Sequence, residues 1–249
     1  MNGPAFRKLR YHAGDAVTAL PAAPAGAGLL DGAGVHGRLV VGAVLLAAGC
    51  GSRLGNRPKS LLELDGVPLI RRLLFALSGA GVDEVVVVLG HHAELIEPAV
   101  MTFPVAVVRN LNPDEGQVSS QRLGLAALKG KLDAVIVALA DQPLIDAQDI
   151  AALITAFNQR PEDTSVVYPE VAGERGNPVM FTAEVRDQIL AGAADVGCRQ
   201  WQAANAAAVT PFVTDNRSYK VDIDTVDDLE RFARDTGHRL RWPIAFGVP

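Results

Sequence analysis

The sequence predicts an α/β protein built on a single doubly wound, mostly parallel sheet with helices on both faces. Three observations predict it. Apolar runs without a polar face recur at residues 40–48, 85–89 and 134–139, and such runs suit strands buried on both sides. The stretches between them space their apolar residues as a helix does, as in Leu123, Ala126 and Ala127. The alternation continues from Leu39 onwards, and repeated strand–helix alternation is the pattern of a parallel sheet with crossover helices.

Taken in order, residues 1–38 stand apart. Their PAAPAGAGLLDGAGVHG tract is a Gly/Ala/Pro segment without periodicity, expected to be a flexible extension with neither the h-region nor the cleavage pattern of a signal peptide. The domain proper is expected over 39–236. It opens with a strand at 40–48, a glycine-rich loop, and an Asp65-Gly66 turn leading to Val67-Pro68. A helix follows over 69–79, a strand over 85–89, a helix over 93–100 and a strand over 105–109. The next helix is read at 119–129 and the next strand at 134–139. Asp146 is placed to cap a helix reaching Asn158, because its carboxylate can accept from free N–H groups of the first turn. Strands are read at 165–168 and 176–181, helices at 183–190 and 198–204, and extended segments at 208–213 and 219–223. A closing helix is read over 226–234, where Asp227, Asp228 and Glu230 suit the positive end of the helix. Residues 237–249 read as an irregular tail.

Composition narrows the function. The 249 residues are 49% hydrophobic with a mean hydropathy of +0.19, enough for a sizeable core. The net charge is −5 and no block of like charges occurs, which argues against a nucleic-acid partner. No apolar run reaches the ~18 residues a membrane span needs. Two cysteines, Cys50 and Cys198, provide neither a disulfide framework nor a metal cluster, so a cytoplasmic location is expected.

The chemistry concentrates around residues 40–60, VVGAVLLAAGCGSRLGNRPKS. Gly49, Gly51 and Gly55 follow the strand directly, with Arg53 among them and Lys59 just beyond. Glycines let backbone N–H groups come close to a polyphosphate, and two cations would neutralise it. The spacing is not that of a dinucleotide fingerprint, since Leu54 stands where the third glycine belongs; nor is it a Walker A loop, since Pro58 precedes the lysine. Lysine is scarce, at five residues against eighteen arginines, so Lys59 is unlike the rest of the surface. Asp141 follows the strand at 134–139, at the sheet edge where open α/β proteins bind ligands. A carboxylate there, on a chain expected to hold triphosphate, suggests Mg²⁺. Asp222 and Asp224, two apart on an expected strand, would share a face and offer a second ligand, although Asp224-Thr225 also suits a helix cap. Ser119 and Ser120 begin a helix, where hydroxyls cap and anions bind. Asn177 before Pro178 is by itself a turn former. His91 and His92 read as surface histidines.

The string L-A-A-G-x-G-x-R-x-G with P-K resembles the nucleotide-binding loop of the MobA-like nucleotidyltransferases, from Leu46 to Gly55 with Lys59. The strings LADQP (139–143), GNPV (176–179) and VDIDTVDDL (221–229) resemble further motifs of that family, in the expected order, with Val226 where the family has proline. LAAG together with GNPV is most similar to the molybdenum cofactor cytidylyltransferases. The resemblance implies that Leu46, Ala47, Ala48, Gly49, Gly51, Ser52, Gly55, Lys59, Ser119 and Ser120 bind the nucleotide. It implies catalytic roles for Arg53, Lys59 and Asp141, Mg²⁺ on Asp141 and Asp222, and an acceptor beside Gly176, Asn177 and Pro178. The implied reaction moves CMP from CTP to a phosphorylated acceptor of molybdopterin type, with a molybdoenzyme or its chaperone as a further partner. The alternatives are a sugar- or polyol-phosphate nucleotidyltransferase, a molybdenum cofactor guanylyltransferase, and a non-catalytic nucleotide-binding partner of a molybdoenzyme.

Overall fold

The computed structural model describes residues 38–246. The extension read at 1–38 therefore lies outside the described residues except for Arg38, which donates to the Gly81 carbonyl at 2.8 Å and pairs with Asp83. The first half of the chain runs β1 (Val41–Ala47), β2 (Glu63–Leu64), β3 (Val67–Pro68), α1 (Leu69–Gly79), β4 (Glu84–Leu89), α2 (Ala93–Val100) and β5 (Ala106–Arg109). It continues with α3 (Gln117–Ala127), β6 (Ala134–Leu139), α4 (Ala147–Asn158), β7 (Val166–Val171), β8 (Glu174–Arg175) and β9 (Val179–Thr182). The last elements are α5 (Ala183–Ala191), α6 (Cys198–Ala204), β10 (Val209–Val213), α7 (Val226–Thr236) and β11 (Leu240–Arg241).

The main sheet has the order β10-β7-β9-β6-β1-β4-β5, with β8 on β7. Pairings β1–β4, β1–β6, β4–β5 and β7–β10 are parallel, while β9 runs antiparallel between β6 and β7. The sheet is thus mostly parallel, as the apolar runs predicted. All seven residues of β1 are buried, and their side chains alternate between two cores. Val41, Ala43, Leu45 and Ala47 join a core with α1, α2 and α4 residues such as Leu73, Ile96 and Leu153. Val44 and Leu46 join another with Leu125, Val185 and Trp201 of α3, α5 and α6. A side-chain period of two on a central strand fills both faces at once.

The Asp146 cap is present as a complete capping box. Its carboxylate accepts from the backbone of Gln148 and Asp149, and Asp149 returns a bond to the Asp146 N–H. Thr225 and Asp228 form the same arrangement at the start of α7. Cys198 is buried and its thiol is pushed up to about 12 by desolvation, as fits a packing residue.

Four segments differ from expectation. Helix α3 begins at Gln117 with Gly116 at its cap, so Ser119 and Ser120 lie inside its first turn and do not cap it, and the strand read over 176–181 begins only at Val179. Residues 219–223 are no strand: a short 3-10 turn at Arg217–Lys220 is followed by an unpaired extended stretch. The residues read as an irregular tail contain β11, which pairs antiparallel with β2 and so completes a second sheet of β11-β2-β3. Leu64, Leu240 and Trp242 pack there with Leu54 of the glycine-rich loop and with Phe232 of α7.

Candidate active site

A cleft of about 1010 Å³ opens where β1 and β6 end. From β1 the chain proceeds outward through β4 and β5 on one side, and it returns to β6 on the other. Strand order reverses there, and the crevice outside the carboxyl ends of such strands is where open α/β sheets bind ligands. Of the residues singled out above, Leu46, Ala47, Ala48, Gly49, Lys59, Ser120, Asp141, Gly176, Asn177, Asp222 and Asp224 line the cleft. Gly51, Ser52, Arg53, Gly55, Ser119 and Pro178 do not.

The glycines divide by what their surroundings require. Gly51 has φ +64°, and a Cβ there would meet the Arg57 carbonyl oxygen at 2.0 Å; the Gly51 carbonyl also closes the turn by accepting from Leu54 and Asn56. Gly51 is demanded by the loop itself. At Gly49 a Cβ would meet only the Lys59 side chain, at an ordinary 3.8 Å. Nothing among the described residues requires a glycine at 49, and its exposed backbone faces the cleft. Leu54 is buried and fastens the loop to the small core beneath it. His92, expected at the surface, is half-buried and its Nε2 lies 2.9 Å from the Cys50 carbonyl. Since a carbonyl only accepts, Nε2 must carry the proton, and His92 thereby tethers the loop.

The carboxylates converge by a route that the sequence did not reveal. Ile223 donates its N–H to the Asp141 carbonyl at 3.2 Å, and its side chain is fully buried. With Ile223 turned into the core of an extended segment, Asp222 and Asp224 on either side turn the other way, into the cleft beside Asp141. The shared face expected of a strand is therefore obtained without one. Lys59 joins the group: its ammonium lies 2.5 Å from Asp141 Oδ2 and also contacts Asp224. Arg53, largely exposed, donates to Asp224 at 2.8 Å. Arg53 thus reaches the site through Asp224 and not by lining the cleft.

Burial works against the Lys59 charge, but the carboxylates of Asp141 and Asp224 outweigh it and raise its pKa above the ordinary lysine value. Asp224 is likewise opposed by desolvation and is nevertheless held below the usual carboxylate range by Lys59 and Arg53. Asp222 moves the opposite way, pushed up by desolvation and by the neighbouring charges of Asp141 and Asp224.

No three His, Cys, Asp or Glu side chains form a ready-made metal cage among the described residues. The donor set nevertheless fits a hard cation. Asp141 Oδ1 is buried without a hydrogen-bond partner, and Asp222 forms no ion pair among the described residues while it experiences the repulsion of two carboxylates. Mg²⁺ characteristically takes one or two carboxylates and completes its shell with water and phosphate oxygens.

Around this centre, Asn110 donates from Nδ2 to the hydroxyls of both Ser119 and Ser120, each at 2.9 Å. Ser120 is buried and lines the cleft, whereas Ser119 turns back to the Gly116 carbonyl. Gly176 is needed for packing, since a Cβ would meet the Tyr219 carbonyl oxygen at 2.7 Å. The Asn177–Pro178 peptide is cis. Gln142 donates to the carbonyls of Asn177 at 3.1 Å and Tyr219 at 3.3 Å, tying the string that carries Asp141 to the one that carries Asn177 and to the segment just before Asp222. Gln142 was passed over in the sequence in favour of the charged Asp141 beside it. Gln121, Tyr168, Arg175, Arg199 and Gln202 also line the cleft. Their type gave no sign of it, because position on the sheet, and not a motif, brings them there.

A doubly wound sheet with a glycine-rich loop, a lysine and paired aspartates at its switch point defines a nucleotide-handling α/β enzyme. Residues 43–209 match the MobA-like NTP transferase domain, and the chain belongs to that family of nucleotidyltransferases. Among individual proteins, it is 31% identical to nicotine blue oxidoreductase from Paenarthrobacter nicotinovorans over 76% of this chain and 94% of that one. It is 31% identical to the bifunctional protein GlmU of Mycolicibacterium gilvum over 53% of this chain, but spans only 28% of that protein. A solved nucleotidyl transferase from Methanothermobacter thermautotroptrophicus superimposes with a TM-score of 0.64 at 28% identity, covering 80% of this chain and 98% of that one. No helix among the described residues is long and apolar enough to cross a membrane.

Proposed function

We propose that this chain transfers a nucleoside monophosphate, CMP from CTP, to a phosphorylated acceptor of molybdopterin type and releases pyrophosphate. The observation that carries the reading is the Lys59 ammonium held between Asp141 and Asp224 at the foot of the glycine-rich loop, with Asp222 alongside. A group of this kind suits a reaction in which charge must be balanced on a triphosphate while little covalent chemistry is asked of the protein.

In this reading the loop backbone at Ala48 and Gly49 lies along the phosphates, and Lys59 exchanges its carboxylate partners for phosphate oxygens. Arg53, released from Asp224, adds a second positive charge. Asp141 and Asp222 would hold Mg²⁺, which supplies electrostatic stabilisation of the phosphate oxygens. An oxygen of the acceptor phosphate attacks the α-phosphorus, the bond from that phosphorus to the oxygen bridging the β-phosphate breaks, and pyrophosphate leaves with the electron pair. The orienting contacts fall to Ser120 on the nucleotide side and to Asn177 on the acceptor side.

The name of the Paenarthrobacter relative raises a second reading, hydride transfer. The Lys59–Asp141–Asp224 cluster at the foot of the glycine-rich loop favours polyphosphate chemistry instead, because it gathers charge where a triphosphate needs it balanced. The test is a product assay with Mg²⁺, each of CTP, GTP, ATP and UTP, and molybdopterin or a panel of sugar phosphates as acceptor. CTP-selective, molybdopterin-dependent pyrophosphate release supports the proposal. Release with a sugar phosphate alone would replace the acceptor, and oxidation of a nicotinamide cofactor without pyrophosphate would replace the reaction.

A further inference from the structure

Charge is distributed unevenly along the cleft. The acidic residues that line it, Asp141, Asp222 and Asp224, all belong to the cluster around Lys59. Two more cations, Arg175 and Arg199, line it as well, and neither lies within ion-pairing distance of an acid among the described residues. Glu174, next to Arg175 in sequence, pairs instead with Lys220 at 2.7 Å. Arg175, on β8, stands beside Tyr168 of β7, and Arg199 follows Cys198 of α6, whose N–H donates to Gln121 near the start of α3 at 3.1 Å.

Arg175 is held in place by neutral groups. Its guanidinium lies 3.9 Å from the centroid of the Tyr168 ring, and one N–H donates to Oε1 of Gln202, a side chain only 5% exposed. A ring face and an amide oxygen fix the orientation of the guanidinium without consuming its charge. A guanidinium carries five N–H donors, so donors remain for a ligand after Gln202 has taken one. Arg199 adds an exposed positive charge one turn from Gln202, on the same short helix.

We propose that Arg175 and Arg199 form an anion subsite that binds a phosphate monoester of the acceptor, with Tyr168 and Gln202 as positioning residues for Arg175. This rests on the nucleotidyl-transfer reading for the word acceptor, while the anion subsite itself rests on the arginines alone. A planar guanidinium binds phosphate in bidentate fashion, which a lysine does not reproduce. The subsite therefore favours acceptors bearing a phosphate over those bearing only hydroxyls.

The test uses the full chain and inorganic phosphate as the probe, titrated by calorimetry with the nucleotide end filled by a saturating non-hydrolysable CTP analogue and Mg²⁺. The wild type is expected to bind phosphate, and an Arg175→Gln, Arg199→Gln double variant to bind it at least roughly tenfold more weakly, in line with the loss of charge-assisted hydrogen bonds. Nucleotide affinity should stay within about twofold, which also reports that the variant is folded. Arg175→Lys should recover only part of the phosphate affinity, and Gln202→Leu should weaken phosphate without affecting nucleotide. Absence of phosphate binding in the wild type, or unchanged binding in the double variant, would overturn the proposal. A double variant that loses nucleotide affinity would overturn it too, by assigning the arginines to the triphosphate. If the wild type binds no nucleotide yet takes up phosphate through these arginines, the nucleotidyl-transfer reading fails and the anion subsite stands.

Discussion

At the scale of single residues, the two glycines of the loop separate folding from function. Gly51 is fixed by its left-handed backbone and by the Arg57 carbonyl 2.0 Å from any added Cβ, so Gly51→Ala should distort the loop and lower Tm. Gly49→Ala meets only an ordinary contact with Lys59 and should fold normally. Because its methyl would occupy the surface proposed to meet the phosphates, it should weaken nucleotide binding by roughly tenfold, the cost of one displaced charged hydrogen bond. Thermal melts and nucleotide titrations of the two variants check the contrast; a Gly49→Ala protein with normal affinity would remove the loop backbone from the site. The sequence disclosed the residues with strong local chemistry, namely Lys59, Asp141 and the glycines. It did not disclose Gln142, Arg175 or Gln202, whose roles come from neighbours 27 to 77 positions away along the chain.

Among the elements, helices with an end signal and strands with an unbroken apolar run were the most legible. Helix α4 has its full capping box at Asp146, and Asp146→Ala should cost about 1 kcal/mol in urea denaturation. Helix α7 begins at Val226, which is 55% exposed and directly follows the Thr225 cap. The first helical position has a free N–H and a backbone angle that proline already adopts, so Val226→Pro should be tolerated, with stability unchanged or raised by less than about 1 kcal/mol. A loss of several kcal/mol in that variant would mean that the approach to α7 differs from the one described. The segment after Tyr219 was misread because alternation of valine, isoleucine and aspartate looks like a strand. No partner strand lies beside it among the described residues, and the bond from Ile223 to the Asp141 carbonyl takes the place of a ladder. The two-residue β11 was missed for the complementary reason, since its pairing with β2 leaves no local pattern.

For the molecule as a whole, the fold brings opposite charges together where the glycine-rich loop, the end of β6 and the approach to α7 meet, and this gives stability a particular pH dependence. The Lys59 pKa is raised in the folded state, so its contribution is complete below the ordinary lysine value of about 10.4 and is lost as pH rises through the folded-state value. Wild type should therefore lose stability above about pH 10.4 by a step that Lys59→Met lacks, measurable by urea denaturation across the alkaline range. Lys59 and Asp141 are proposed to serve nucleotidyl transfer in this cleft. The decisive measurement is Mg²⁺-dependent pyrophosphate release from CTP and acceptor in wild type, Lys59→Ala and Asp141→Ala, with circular dichroism confirming that the variants are folded. The wild type should release pyrophosphate, and each variant should lose at least about a hundredfold, the scale of removing one group that stabilises transition-state charge. Near-wild-type release from either folded variant would contradict that role.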